Sequence, residues 1–230
     1  MVEITDSDYA RFSNIPINSL LQKKEFYIKG SESFIYKGIC FTKKVLIKER
    51  RPKIYRDKRL DNELRLQRLK IESKMIKSAL NSNINVPSLI SVNLNDYSLV
   101  LEEINGNNLG FLLNEPNFNS NNSSKTEILQ KFGQIVAYLH NIEIIHGDLT
   151  PLNILIANEN QIFIIDFGLA FYSNEVKDKS MDLFILYGAL KIYSDYETLF
   201  QTFLQGYNAA KDFSMVLDNF NKLTQKGRYK

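Results

Sequence analysis

The sequence predicts a mixed α+β fold in two parts: a small antiparallel sheet carrying one long helix, then a mainly helical half. Three observations predict it. Short β-rich runs surround a single basic, helix-spaced stretch in the first hundred residues. An asparagine-rich segment then interrupts the pattern. Beyond it helical spacing dominates, broken by two short apolar strands. The division falls between residues 1–104 and 105–230.

Each element has its own signal. Phe26 to Gly38 reads as two strands around the turn-forming cluster Gly30-Ser31-Glu32-Ser33. Lys44 to Lys48 is a third, rich in β-formers. Arg50 to Arg59 carries Pro52 and reads as a loop leaving the sheet. From Leu60 to Leu80, apolar residues at Leu60, Leu64, Met75, Ile76 and Leu80 fit helical spacing, and the straight side chains between them favour a helix. Asn81 to Pro87 ends it, and strands follow around Ile90-Ser91-Val92 and from Tyr97 to Glu102. Between Asn105 and Asn122 eight of eighteen residues are asparagine, so this stretch reads as a linker or loop insertion. Thr126 to Asn141 is an amphipathic helix, capped by Thr126 or Ser124. Asn153 to Ala157 and Gln161 to Ile165 are short apolar strands before the helical remainder.

Composition narrows the function classes. With 230 residues, 44% of them hydrophobic and 24% charged, the chain is globular in character, which sets aside disorder, collagen and coiled coil. One cysteine, Cys40, makes no internal disulfide, and with only two histidines it supplies no closed zinc site. No apolar run reaches the roughly 18 residues of a spanning helix. The opening Met1-Val2-Glu3-Ile4-Thr5-Asp6 lacks the layout of a signal peptide, so the expectation is a reducing compartment, cytosolic or nuclear. Asn121-Asn122-Ser123 matches a glycosylation acceptor, which is idle in that setting. The net charge of +3 conceals an asymmetry: Lys43 to Lys77 holds 14 Lys/Arg against 5 Asp/Glu, a net of +9, and the remainder is at −6. Such a block can steer polyanions, although charge alone favours a solvated, lysine-rich helix face.

The chemistry concentrates in Ile145-His146-Gly147-Asp148-Leu149-Thr150-Pro151-Leu152-Asn153 and Ile164-Ile165-Asp166-Phe167-Gly168. An Asp and an Asn five residues apart precede a second Asp at a strand end. Phosphoryl transfer asks the protein for metal ligands, positioning and charge neutralisation. Magnesium prefers hard oxygens, which Asn153 and Asp166 supply, and Asp148 would accept the hydroxyl proton or orient the nucleophile. Alone, Asp-Phe-Gly is usually a turn and His146 a packed core histidine; the ordered pair at this spacing is what carries the functional reading. The same chemistry asks for a phosphate-binding lysine on a strand and a helical glutamate to hold it. Lys48 closes Val45-Leu46-Ile47-Lys48, and Glu72, next to Met75 and Ile76 at helical spacing, is the preferred partner over Glu63. Gly30, Ser31 and Ser33 form a degenerate phosphate loop with one glycine, and Leu101 to Gly106, including Glu102 and Ile104, reads as a hinge whose backbone would bond adenine.

Together these motifs resemble the protein-kinase-like bilobal fold from about Phe26 onward. In detail they are similar to the PRPK family, the small atypical kinase of the KEOPS/EKC complex. The resemblance rests on Gly30-Ser31-Glu32-Ser33, on Lys48-Glu49-Arg50-Arg51-Pro52-Lys53-Ile54-Tyr55-Arg56 with Leu60-Asp61, and on Arg68-Leu69-Lys70-Ile71-Glu72, where Leu69 replaces a usual Thr. His146 to Thr150 and Asp178-Lys179-Ser180-Met181-Asp182-Leu183 complete it. It implies serine/threonine phosphotransfer, ATP hydrolysis within a complex, and a part in threonylcarbamoyl-adenosine modification of tRNA. It also implies ATP and Mg²⁺ as cofactors, with a threonylcarbamoyl-transferase subunit on the C-lobe and a small subunit on the N-lobe. A tRNA contact through the basic surface and the C-terminal tail, here Lys226-Gly227-Arg228-Tyr229-Lys230, is implied as well.

Departures from ordinary protein kinases also carry physics. Gly147 stands where an Arg often receives an activating phosphate, no Ala-Pro-Glu follows Gly168, and 62 residues remain after it. The expectation is an ATP-handling core with a poor peptide platform. The alternatives are a small-molecule phosphotransferase of the antibiotic- or choline-kinase type, which shares His-Gly-Asp, a RIO-type kinase, and a catalytically silent ATP-binding scaffold. The reduced C-lobe and the Lys53-Tyr55-Arg56 insertion disfavour the first, Asp166-Phe167-Gly168 the second, and retention of the five polar site residues the third.

Overall fold

The computed structural model describes residues 21–30, 33–115, 118–120 and 123–227. Ser31, Asn121, Asn122 and residues 228–230 of the tail lie outside them. The chain divides into two compact units. The first holds the described residues up to Ser78 together with Pro87–Ile104, and the second holds Ala79–Val86 and the described residues from Asn105 onward.

Five antiparallel strands and all but the last turn of one helix make the first unit: β1 (Leu21–Lys29), β2 (Ser33–Cys40), β3 (Lys43–Arg50), α1 (Lys58–Asn81), β4 (Leu89–Asn93) and β5 (Ser98–Glu102). The sheet order is β1-β2-β3-β5-β4. Period-2 alternation sends successive residues of β5 to opposite faces. Leu99 packs with Val92 and with Leu69 of α1 on one face, and Val100 packs with Cys40, Val45 and Ile47 on the other. The register pairs Ile35 with Lys48 and Lys48 with Leu99, which puts Lys48 on the α1 side. Helix α1 buries Leu69, Met75, Ile76 and Ala79.

The second unit continues with β6 (Gly106–Asn108), α2 (Leu109–Leu112), β7 (Asn119–Ser120), β8 (Ser123–Ser124), α3 (Lys125–Asn141), β9 (Ile144–Ile145), β10 (Ile154–Ala157), β11 (Ile162–Ile164) and β12 (Phe171–Tyr172). It ends with α4 (Val176–Leu190), α5 (Tyr196–Tyr207) and α6 (Phe213–Gly227). Strands β11, β10 and β6 form a small antiparallel sheet, and β12 pairs with β9. Helices α3 and α5 pack backbone to backbone through two glycines. A Cβ on Gly133 would lie 2.1 Å from Phe203 O, and one on Gly206 would lie 1.8 Å from Gln130 O. Around that crossing Phe132, Phe200, Phe203 and Tyr207 are fully buried. No helix among the described residues is long and apolar enough to cross a membrane.

Three expectations are corrected and a fourth is narrowed. Arg50 belongs to β3 and is buried, because the ladder runs on to Glu49–Ser98 and the Arg50 N–H donates to Tyr97 O at 2.9 Å. Leu60, counted with the apolar face of α1, is half exposed. The asparagine-rich stretch is more than a linker: Asn107 and Asn108 pair with β10, and the Asn108 side chain caps α2 by accepting from Gly110 N at 2.9 Å. Helix α3 starts at Lys125, so of the two cap candidates Ser124 immediately precedes the helix and Thr126 lies inside its first turn.

Candidate active site

The loop from His146 to Asn153 is built from the backbone outward. It leaves β9, whose pairing with β12 (Ile145 with Phe171, Ile144 with Tyr172) ties its start to the residues after Asp166-Phe167-Gly168. Pro151 opens a 3-10 turn, Pro151–Asn153, that folds Asn153 back on Asp148. The Asn153 amide nitrogen donates to Asp148 O at 2.8 Å and to its Oδ2 at 3.0 Å. This fixes the Asp148 carboxylate by one oxygen and leaves the other to accept a proton. His146 is fully buried: its Nε2–H donates to Ile165 O at 3.1 Å, and its Nδ1 accepts the Asp148 N–H at 3.3 Å. Those partners select one neutral tautomer.

Asp166 reaches the same place by strand pairing. The β10–β11 register sets Ile154 against Ile164, and Ile165 N donates to Asn153 O at 2.9 Å, one step beyond the ladder. Asp166 follows immediately, at φ 63°. A left-handed conformation is costly for a residue with a Cβ, and Asp bears it best because its side chain bonds locally. Here Gly168 N donates to Asp166 Oδ1 at 3.2 Å. Phe167 beneath is fully buried, its ring 5.1 Å from that of His146.

The expected metal residues fit a hard divalent ion. Asn153 spends its amide nitrogen on Asp148, so the oxygen end of the amide is its remaining ligand, and Asp166 adds an exposed carboxylate. Among the described residues, no group of three or more His, Cys, Asp and Glu is placed to hold a metal ion.

In the first unit, Lys48 Nζ lies 2.7 Å from Glu72 Oε1, and both residues are buried. Glu63, the alternative, instead makes an exposed pair with Arg59. Gly30 N donates to Ser33 O at 2.8 Å, closing the turn between β1 and β2, and Ser33 is buried opposite Arg50. Glu102 ends β5 and accepts from Ser88 Oγ at 2.7 Å; the next N–H, of Glu103, donates to Lys44 O at 3.2 Å. Ile104 is the last residue of this unit.

Sequence reasoning missed two groups. Arg50 Nη2 lies 2.5 Å from Glu72 Oε2, so Glu72 is held by two cations. In the second unit, Asp182 of α4 is fully buried. Its Oδ2 accepts from His146 N at 2.7 Å, and its Oδ1 accepts from Gly147 N at 2.8 Å. Oδ2 also accepts from His140 Nε2 at 3.1 Å, and His140 Nδ1 takes the Tyr207 hydroxyl at 2.7 Å. Burial pushes the Tyr207 phenol up, helped by Asp212 and Asp182. The available signal was an acid inside the apolar run Met181–Leu190.

Gly147 is explained by its surroundings. Its φ is +76°, and a Cβ would lie 2.4 Å from Leu169 O, so no side chain fits at this position.

A strand-borne lysine with its helical glutamate, an Asp–Asn loop and an Asp at a hairpin end define the protein kinase class. Residues 29–188 match the protein kinase domain family. A probable serine/threonine-protein kinase Bud32 homolog of Archaeoglobus fulgidus is 33% identical, over 80% of this chain and 88% of its own length. The EKC/KEOPS complex subunit bud32 of Dictyostelium discoideum is 31% identical, over 88% of this chain and 82% of its own length. A probable bifunctional tRNA threonylcarbamoyladenosine biosynthesis protein of Methanosphaera stadtmanae is 37% identical over 87% of this chain, which spans only 36% of that relative. The chain belongs to the Bud32 family of protein kinases.

Proposed function

We propose that the chain transfers or hydrolyses the ATP γ-phosphate as a serine/threonine kinase and ATPase, and that it acts as a KEOPS/EKC subunit in tRNA threonylcarbamoyl-adenosine modification. One observation carries the catalytic part: Asp148 is locked by Asn153, and the β10–β11 hairpin delivers Asp166 next to Asn153. Asp148 accepts the proton of the attacking hydroxyl or orients water. Asn153 and Asp166 would hold Mg²⁺, which when bound neutralises charge on phosphate oxygens. Lys48, oriented by Glu72, draws the phosphates; Gly30, Ser31 and Ser33 cover them; the backbone of Glu102 and Ile104 receives adenine. In this reading the first unit handles nucleotide, and the second the proton and the metal.

The complex and tRNA assignments are supported by the names of the relatives and by the charge asymmetry of Lys43 to Lys77. In this reading a threonylcarbamoyl-transferase subunit sits on the helical half, a small subunit sits on the sheet half, and tRNA phosphates meet the basic block and tail in the cytoplasm or nucleus.

Metal titration of turnover tests the assignment. Asp166→Asn removes a charged ligand and is expected to raise the Mg²⁺ needed for half-activation by about tenfold or more, or to abolish turnover. An unchanged Mg²⁺ dependence would remove Asp166 from the site.

A further inference from the structure

Glu72 is fully buried, and a buried carboxylate is costly unless its charge is balanced. Two cations balance it, one on each oxygen: Lys48 at 2.7 Å and Arg50 at 2.5 Å. Arg50 is itself buried and fixed through its backbone. Its N–H donates to Tyr97 O at 2.9 Å, and its carbonyl accepts from Arg65 Nη1 at 3.3 Å. Arg65 in turn bonds Asp61 Oδ2 at 2.8 Å and Asn62 Oδ1 at 2.6 Å. Asp61, also buried, holds the segment before α1 by accepting from Lys53 N at 3.4 Å and by pairing with Arg56 at 3.6 Å. Asp61, Arg65 and Glu72 share one face of α1, being four and seven residues apart. That face is bonded along its length to the end of β3 and to the chain that follows.

We propose that Arg50 is a positioning residue for the phosphate-orienting pair: it holds Glu72 against Lys48 with no contribution from nucleotide or from a phosphate added to the chain. The proposal rests on the reading of Lys48 as the phosphate cation. Kinase-class chains commonly use displacement of this helix as a switch, breaking the lysine–glutamate pair in the resting state. Here the second bond to Glu72 and the Asp61–Arg65–Arg50 chain hold the helix in its paired position. The arrangement also bears on the chemistry. When Lys48 turns toward phosphate, Glu72 is not left as an unpaired buried charge, because Arg50 stays on it. The position of Gly147, which replaces the arginine that would read an activating phosphate, agrees with a pair that needs no such signal.

The test uses the full chain, with Arg50→Met, Arg50→Lys and the surface control Arg59→Ala, whose pair with Glu63 is exposed. In nucleotide-free wild type, hydrogen exchange of α1 amides around Glu72 should be slow and unaltered by adding ATP. In Arg50→Met it should accelerate by about tenfold or more, and ATP should slow it again. In Mg²⁺-ATP turnover, Arg50→Met should lower kcat about tenfold while KM for ATP stays within about threefold, and Arg50→Lys should recover most of the loss. Arg50→Met added to Glu72→Gln should cost no more than Glu72→Gln alone. Wild-type exchange and kcat in Arg50→Met would overturn the proposal. So would additive losses, or a kcat loss that tracks a lowered melting temperature and is not rescued by lysine. A wild type that turns over no ATP would defeat the proposed function, and the exchange arm would still decide the role of Arg50.

Discussion

Asp182 shows how a residue that need not touch substrate can set the catalytic loop. Its two oxygens accept three hydrogen bonds, two of them from successive backbone N–H groups at His146 and Gly147, immediately before Asp148. A carboxylate only accepts, so it matches three donors; an amide presents a donor where one of them points. Asp182→Asn should therefore lower the unfolding free energy by about 2–3 kcal/mol and cut turnover more steeply than a remote substitution of equal cost. Urea unfolding and ATP turnover on one preparation check this, and unchanged stability would show that the loop is held by other means. The residue scale also shows what the sequence made legible. Asp148, Asn153 and Asp166 were readable because one loop and one hairpin contain them all. Asp182 and Arg50 were not assigned roles, because their partners lie 36 and 22 residues away and nothing local marks the contact. Glu72 is equally distant from Lys48, at 24 residues, and was found only because a strand lysine asks for a helical acid.

At the scale of elements, the strands and helices with a clean period were legible, and the departures have physical causes. Pro52 and a run of cations make Arg50 read as loop, but pairing with β5 extends β3 to it, a tertiary effect that outweighs local propensity. The asparagines after Ile104 favour turns in isolation. In the fold Asn108 instead caps α2 and donates through Nδ2 to Leu152 O at 2.5 Å, bracing the catalytic loop from outside. The α3–α5 crossing was invisible for a different reason: nothing in the sequence says that Gly133 and Gly206 face each other. Because the contacts there are backbone to backbone, neither helix can yield by a rotamer change. Gly206→Ala should push the helices apart and cost about 3 kcal/mol or more, well beyond a normal helix glycine, where alanine stabilises. A thermal midpoint at or above wild type in that variant would show that the crossing is looser than drawn.

On the scale of the whole molecule, the chain is a sheet unit that carries the Lys48–Glu72 pair and a helical unit that carries Asp148, Asn153 and Asp166, each with its own core. It covers 88% and 82% of the two Bud32 relatives and 36% of the bifunctional one, whose additional length lies beyond the part this chain matches. That comparison fits the proposed part in a larger tRNA-modifying assembly, for which the +9 block is the proposed RNA-facing charge. The most direct measurement is Mg²⁺-dependent ATP turnover by wild type and Asp148→Ala, each alone and with the purified transferase partner and tRNA. Wild-type turnover is expected to rise with partner and tRNA, with a loss of about a hundredfold or more in the folded variant. Equal turnover by the two proteins, or none from wild type under any combination, would contradict this expectation.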